Sequence, residues 1–367
     1  MHVVHVINTP ELIGGAERVL GQLVDRAVAC GFQVTVLNVF TSASPNIALR
    51  DLVGPERYCE LPYLGPRHFP ILARRLRRLL SDLKPDLLHA HLPRAAAAVI
   101  GTRTIQINPT LRHTPTLLTH HHGDYFRQTG RRNQERLDQA VCQRFDRVVA
   151  CSEMVRSFLI AEYHFNPGRV TTIRNGWSGQ PLPHVGREGK PTIVCVANFR
   201  AQKNHRLLVA AFAKVKAALP GARLVLIGSG PLKGEIVALV HRSGLQASVR
   251  FAGAVQDIWP ELARADLFAL MSAYEPLGIV VLEAMAAGLP VVALAVGGIP
   301  ELVTSGVEGT LVTDGDATTV AHAMVGILTN GEMRSAMAAA GRRKAAAFPA
   351  ETMADSYLRV YGEMATG

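Results

Sequence analysis

The segment LFALMSAYEPLGIVVLEAMAAGLPVVAL spans Leu267 to Leu294. It opens on one short apolar run, Leu267–Met271, and closes on another, Pro290–Leu294. Between them lies a helical stretch with Pro276 near its start. Proline suits the first turn of a helix, where the N–H it lacks has no intrahelical partner. A strand, a helix and a second strand, with both strands continuously apolar, form the pattern of a βαβ unit. Its strands are buried on both faces of a parallel sheet.

The same alternation extends outward along the chain. VVHVI (Val3–Ile7), VTVLNVF (Val34–Phe40), LLHAH (Leu87–His91), TLLTH (Thr116–His120), RVVACS (Arg147–Ser152) and RVTTIRN (Arg169–Asn175) read as strands. So do TIVCVANF (Thr192–Phe199), RLVLIGSG (Arg223–Gly230) and VRFAG (Val249–Gly253). Helical stretches such as Ala16–Ala29 and His205–Ala218 separate them. WSGQPLPHVGREGK, Trp177–Lys190, has no usable periodicity and reads as a linker. The expected class is α/β with two Rossmann-like, doubly wound domains, 1–180 and 191–348. Ligands of such sheets bind at the carboxyl ends of the strands, so a cleft between the two domains is the expected site.

At 367 residues, 48% hydrophobic and 19% charged, the chain has enough apolar material for two cores and is not of disordered composition. A formal net charge of +10 favours anionic partners: nucleic acid, phosphorylated small molecules or an anionic membrane. Aromatics are only 6% and do not interleave with basic residues, which speaks against nucleic acid. The five cysteines are scattered and never form CxxC, so a disulfide framework or zinc site is not expected and a reducing compartment is. The first residues lack a signal-peptide pattern, and no stretch reaches the roughly 18 apolar residues of a membrane span. A cytoplasmic protein is expected, with peripheral attachment at the inner membrane face left open.

Phe69–Leu83 bears on that question. Leu72, Leu76, Leu79, Leu80 and Leu83 share one helical face, with Arg74, Arg75, Arg77 and Arg78 around the remainder. This fits an ordinary core-facing helix, and equally a basic amphipathic helix docking to an anionic membrane or an acidic acceptor.

Glu275 lies at the mouth of the helix that follows Met271, and Glu283 about two turns further in. The amides of Leu277, Gly278 and Ile279 are expected to face whatever sits in front of that helix, a place that favours phosphate. Carboxylates beside a phosphate need another task, and accepting hydrogen bonds from sugar hydroxyls is one. By spacing alone, the pair also fits a helix cap and a solvated face residue. Glu283 lies inside the apolar run Ile279–Val291, where an unpaired carboxylate is costly.

These residues resemble a known pattern. Glu275, Gly278, Glu283-Ala284-Met285-Ala286, Gly288, Pro290-Val291-Val292-Ala293, Gly297-Gly298 and Glu301 are similar to the donor-binding segment of GT-B glycosyltransferases of family GT4. The resemblance implies that Glu275 contacts the donor sugar and Glu283 the ribose hydroxyls. Gly14-Gly15-Ala16-Glu17-Arg18 resembles the family's GGAER loop, where glycines admit the donor diphosphate. Lys203, in VANFRAQKNH, falls on the family lysine that grips the diphosphate. Asn198 stands where the family has arginine, and Arg200 follows two residues later. Whether Arg200 substitutes for it is open. Ser152 and Asn175-Gly176 also resemble family positions, the latter expected as a turn because Asn-Gly favours positive φ. In this family the last helix returns to the first domain, so 349–367 is expected to pack there.

Thr119-His120-His121-His122-Gly123-Asp124 ends the strand that starts at Thr116. Consecutive strand residues point to opposite faces, so only His120 and His122 share a side. No carboxylate-rich cluster completes a ligand set, His89-x-His91 is too generic to supply one, and no metal is expected. The family places a histidine at this strand end against the donor sugar. His122 is the first choice and His121 the alternate. Gly228–Gly234 has the spacing of a turn after its strand, not of a dinucleotide fingerprint. Asp316, in Asp314-Gly315-Asp316, is expected to cap a helix instead of binding metal.

The resemblance implies a retaining hexosyltransferase. It would move a hexose-type sugar from a nucleoside diphosphate sugar, a UDP-sugar foremost, to a saccharide, lipid-linked or small-molecule acceptor in glycan or glycolipid biosynthesis. It would need no cofactor and no metal. Glu275, Lys203 and His122 are its expected catalytic residues. Gly14, Gly15, Asn198, Arg200, Leu277, Gly278, Ile279 and Glu283 complete the donor site. A nucleotide-sugar epimerase of the same fold and a non-catalytic nucleotide-sugar-binding protein are the competing readings.

Overall fold

The computed structural model describes residues 1–8, 14–39, 47–63, 65–104, 113–185 and 190–366. Its contacts divide the chain into two compact units. One is Met1–Gly176 with Ala350–Gly367, and the other is Trp177–Pro349.

The first unit carries β1 (His2–Ile7), β2 (Gln33–Asn38), β3 (Tyr58–Glu60), β4 (Leu87–His91), β5 (Thr116–His120), β6 (Arg147–Ala150) and β7 (Val170–Thr172). They form one parallel sheet in the order β3-β2-β1-β4-β5-β6-β7. The second unit carries β8 (Thr192–Val196), β9 (Arg223–Ile227), β10 (Val249–Gly253), β11 (Leu267–Leu270), β12 (Val291–Leu294) and β13 (Gly309–Val312). These are also parallel, in the order β10-β9-β8-β11-β12-β13. Each sheet grows one way from its first strand and then reverses. The switch points lie between β1 and β4 and between β8 and β11, where open α/β sheets hold ligands. Every residue of β1, β4, β5, β11 and β12 is buried, as strands covered on both faces require.

The structure departs from the sequence reading in several places. Two edge strands, β3 and β13, were not expected. β3 is three half-buried residues and β13 is only partly buried, so neither shows a continuous apolar run. Several strands end sooner than their apolar runs. β7 stops at Thr172 and β8 at Val196, and the residues that follow turn into loops. Phe40, the expected end of the second strand, lies outside the described residues. Neither Asn175 nor Gly176 takes a positive φ, so the expected Asn-Gly turn is absent. Two expected caps are present. Ser152 Oγ accepts from the Val155 amide at 3.2 Å. Asp316 Oδ2 accepts from the amides of Thr318 and Thr319, both at 2.9 Å.

By sequence, Trp177–Lys190 reads as a linker. In the structure the second unit begins at Trp177. The Trp177 indole stacks edgewise on Trp259 and donates to the Ala345 carbonyl at 2.7 Å. Its backbone amide donates to the Phe348 carbonyl at 3.0 Å, and Val185 bonds Ala263 at 2.8 Å. An indole with a buried face and a satisfied N–H anchors this stretch.

On helix 69–83 the apolar stripe faces the core. Leu72, Ala73, Leu76 and Leu80 are buried inside the first unit, and the helix packs on helix 93–104. The apolar stripe is thus covered by protein, leaving Arg74, Arg75 and Arg78 exposed. The amphipathic pattern is that of a core-facing helix. No described helix is long and apolar enough to cross a membrane. Helix 350–366 belongs to the first unit and packs on helix 15–29. Arg26 there donates to both carboxylate oxygens of Asp355, at 2.7 and 3.2 Å.

Candidate active site

In the second unit the residues of interest stand on the loops that leave β8 and β11, the two strands flanking the switch point. The β8 loop runs through Asn198 and Arg200 into a single 3-10 turn, Ala201–Lys203. Asn204 ends that turn in the left-handed region, φ 48°, and its side chain caps helix 205–218 by accepting from the Leu207 amide. The β11 loop carries Ser272 and Glu275.

A backbone bond joins the loops: the Ala273 amide donates to the Gln202 carbonyl at 2.8 Å. Across this bridge, the Lys203 ammonium pairs with Glu275 Oε2. The Ser272 hydroxyl donates to the same oxygen at 3.2 Å. Both side chains are mostly buried, 17% and 12% exposed, so the pair feels a lower dielectric than a surface bridge. Arg200 is exposed and has no ion-pair partner among the described residues, whereas Asn198 is half-buried.

Two glycine pairs stand behind these loops. A side chain at Gly297 would collide with the Glu275 carbonyl, and one at Gly298 with the backbone of Pro276 and Leu277. The Gly298 amide also donates to the Glu275 carbonyl at 2.9 Å. On the other side, a side chain at Gly228 would strike the Ala197 carbonyl, and one at Gly230 would lie 2.7 Å from the Phe199 carbonyl oxygen. The backbones beside Asn198 and Glu275 are therefore packed from behind with no room for a Cβ.

The helix after Glu275 starts later than the sequence suggested. It runs Ile279–Ala286 with Gly278 as its cap at φ 97°. A positive φ cannot continue a helix, so Pro276 and Leu277 lie in the preceding bend and the first helical amide is that of Ile279. Leu277 and Ile279 are buried, and Glu283 is 1% exposed within the helix. A solvated role for Glu283 is thereby removed.

In the first unit, Gly14 caps helix 15–29 with an extended backbone, and the Glu17 carboxylate lies over it. Gly14 is half-buried and Gly15 exposed. Further along, the histidines at the end of β5 part company. His121 stacks on His91 at 5.9 Å between ring centroids. His120 and His122 stack on each other at 4.1 Å, and both bond Asp138 Oδ2 through Nε2 at 3.0 Å. The Tyr163 hydroxyl donates to the same oxygen at 2.9 Å. Burial alone would raise the Asp138 pKa, but the imidazoles of His122 and His120 outweigh it and hold it well below the usual carboxylate range. Burial lowers the His120 pKa, and Asp138 opposes that only in part.

Among the described residues, two groups have metal-ligand chemistry, His5–His89–His91 and His120–Asp138–Cys142, each with ligand atoms within 4.8 Å. Hydrogen bonds already engage several of these atoms. His89 bonds Tyr361 Oη and Thr119 Oγ1, both at 2.7 Å, and His120 bonds Asp138.

Residues 13–178 match the family described as Glycosyltransferase Family 4, and residues 183–344 match Glycosyl transferases group 1. The chain belongs to the GT4-type GT-B glycosyltransferases. This glycosyltransferase is 28% identical over 352 residues to the lipopolysaccharide core biosynthesis glycosyltransferase LpsE of Rhizobium meliloti, which covers 95% of each chain. It is 28% identical over 368 residues to the phosphatidyl-myo-inositol mannosyltransferase of Mycobacterium leprae, covering 96% of this chain and 94% of that one. Among solved structures it resembles Anabaena HepE in complex with UDP and glucose, with a TM-score of 0.84 and 20% identity over 98% of this chain and 99% of that one. It also resembles sucrose-phosphate synthase of Thermosynechococcus elongatus, with a TM-score of 0.83 and 22% identity over 99% of each.

In this GT4 enzyme the structure brings Lys203 and Glu275 together and places Asn198, Leu277 and Gly278 on the same pair of loops, with Ile279 opening the helix that follows. Gly14 and Gly15 follow β1 in the other unit, and His121 and His122 follow β5. Ser272 and Asp138 were missed from sequence. Asp138 left one signal: with Val141 and Cys142 it forms the buried side of helix 132–142, so a carboxylate sits in register with an apolar stripe.

Proposed function

We propose that this glycosyltransferase moves a hexose-type sugar, with retention, from a nucleoside diphosphate sugar to a saccharide, lipid-linked or small-molecule acceptor in glycan or glycolipid biosynthesis. The observation that carries the reading is the Lys203–Glu275 pair at the switch point of the second unit. Lys203 would hold the departing diphosphate, with Arg200 as a second cation. Glu275, already charge-paired, would accept from the donor sugar's hydroxyls, and the buried Glu283 from the ribose. A fixed cation stabilises a leaving phosphate as its charge develops, which is electrostatic catalysis without a required metal. The leaving phosphate would take the acceptor's proton as the acceptor attacks from the same face. His122 would stand against the donor sugar, with Gly14 and Gly15 near its diphosphate.

A uridine base is favoured by the HepE structures with UDP and with UDP-glucose. The names of relatives dependent on GDP-mannose keep guanosine as the competing base. The acceptor class follows relatives named for lipopolysaccharide core and phosphatidylinositol products.

A thermal-shift panel of UDP- and GDP-sugars tests this, because a ligand that binds the native state raises Tm by mass action. The expected result is a shift with UDP-hexoses that Lys203→Ala abolishes. If no nucleoside diphosphate sugar stabilises the protein, the donor site is wrong. Epimerised donor without acceptor would favour the epimerase reading. Binding without hydrolysis or transfer would favour a non-catalytic one.

A further inference from the structure

We propose that Ser272 is a positioning residue for Glu275: its hydroxyl keeps Oε2 in place when Lys203 turns to the donor diphosphate, so that Oε1 stays aimed at a donor-sugar hydroxyl. This rests on the assignment of Glu275 to the donor sugar proposed above.

The two carboxylate oxygens of Glu275 are not equivalent. Oε2 takes both bonds, one from the Lys203 ammonium and one from Ser272 Oγ at 3.2 Å. Among the described residues, none bonds Oε1. A carboxylate only accepts, so the serine spends its single O–H on it. Among the described residues, Glu275 is also the sole partner of the Ser272 side chain.

Ser272 sits where a hydroxyl needs a reason. It is 1% exposed and follows Met271, which is fully buried. Tyr274 and Leu277, a little further along the same loop, are buried as well. An alanine would fill this place without the cost of taking a polar group out of water. The hydroxyl that stands there bonds a carboxylate three residues on.

The main chain around the pair is already held. The Ala273 amide bonds the Gln202 carbonyl at 2.8 Å, and the Gly298 amide bonds the Glu275 carbonyl at 2.9 Å. What remains to be fixed is rotation of the Glu275 side chain. Lys203 is a loose clamp for it, a point charge on a flexible four-carbon stem, and a diphosphate draws that charge more strongly than one carboxylate does. Serine has a single side-chain torsion and shares a loop with Glu275, so its hold survives the exchange. The bond is long while the ammonium shares Oε2, and release of Lys203 lets it close.

Calorimetry on the full chain gives dissociation constants for two ligand pairs, UDP with UDP-glucose and GDP with GDP-mannose. The pair that binds the wild type more tightly is carried through the variants. Ser272→Ala is expected to weaken the nucleotide sugar about tenfold and the bare nucleoside diphosphate less than about twofold. Equal losses on both ligands would make Ser272 only structural and overturn the proposal. In a Glu275→Ala background, Ser272→Ala should weaken the nucleotide sugar by less than about a further twofold. If the two losses multiply instead, the serine does not act through Glu275 and the proposal fails. No loss in Ser272→Ala beside a clear loss in Glu275→Ala overturns this inference alone. If Glu275→Ala binds the nucleotide sugar as the wild type does, the donor-sugar assignment of Glu275 falls and this inference with it. The same follows if the wild type binds neither pair.

Discussion

The Ala273 amide and the Gln202 carbonyl, 2.8 Å apart, tie the loop of Glu275 to the loop of Lys203. Two loops that leave neighbouring strands are thereby held at one spacing, and the charged pair forms across a fixed backbone bridge. Preorganisation of this kind matters most when charge develops during reaction, because no energy is then spent on moving the groups.

Removing either partner of the pair should therefore affect turnover more than folding. Lys203→Ala and Glu275→Gln are each expected to lower kcat by about 10² to 10³-fold, the scale of a lost transition-state contact. Their far-UV circular dichroism should match the parent. Steady-state transfer kinetics with the best donor would check it, and wild-type kcat in Lys203→Ala would remove that residue from the site.

Gly297→Ala should disturb the Glu275 loop from behind. It places a Cβ against the Glu275 carbonyl at a residue with φ 57°. A cost of roughly 1–3 kcal/mol and weaker donor binding are expected. Gly326→Ala should do the opposite. Gly326 lies within helix 317–329 with open space around it, so alanine is expected to add about 0.5–1 kcal/mol. Denaturant melts of both variants would show opposite shifts.

Helix 69–83 can be tested on both faces. Leu76 is fully buried, and Leu76→Ala is expected to cost roughly 2–5 kcal/mol. Arg75 is exposed, and Arg75→Ser should stay within about 0.5 kcal/mol. Equal, small effects on urea midpoints would contradict the core role of the leucine stripe.

Acid should weaken the fold well before the carboxylates titrate. Burial pushes His5 down to about 3 and holds His89 and His91 well below the usual value. Burial and then Lys203 lower His205 to about 4. These histidines stay neutral in the fold, whereas the unfolded chain binds protons near pH 6.5. Their contribution is full above about pH 6.5 and is lost as pH falls toward the folded values. The slope reaches about 1.4 kcal/mol per pH unit for each such histidine. Tm measured from about pH 7.5 to 5 should fall steadily, and a flat profile would sink the idea of neutral burial.

Much of this was legible in the chain. Runs such as Val3–Ile7 and Pro290–Leu294 are apolar throughout because their strands are covered on both faces, and that pattern survives without any alignment. Glu275, Lys203 and the Gly297-Gly298 pair are picked out by the resemblance to the GT4 pattern, since their spacing alone is weak. What escaped depends on contacts distant in sequence. β3 and β13 are edges, half-covered, so their residues carry no continuous apolar signal. The true start of the helix at Ile279 is set by the positive φ of Gly278, and Pro276 points to a start three residues too early. Asp138 gains its meaning only when β5 brings two imidazoles to it. Leu72, Leu76 and Leu80 show the limit in reverse, since a stripe that packs on a core and one that meets a membrane are identical in sequence.

The glycines behind the two loops also bear on how this enzyme can be changed. At Gly228, Gly230, Gly297 and Gly298 the atoms nearest to an added Cβ are backbone, so these glycines fix where the loops run without dictating which side chains those loops display. A library aimed at a new donor can vary Asn198 and Arg200, provided those four positions stay glycine and the buried Leu277 stays apolar. The scaffold separates the path of the chain from the chemistry it presents, and selectivity can drift while the frame is conserved.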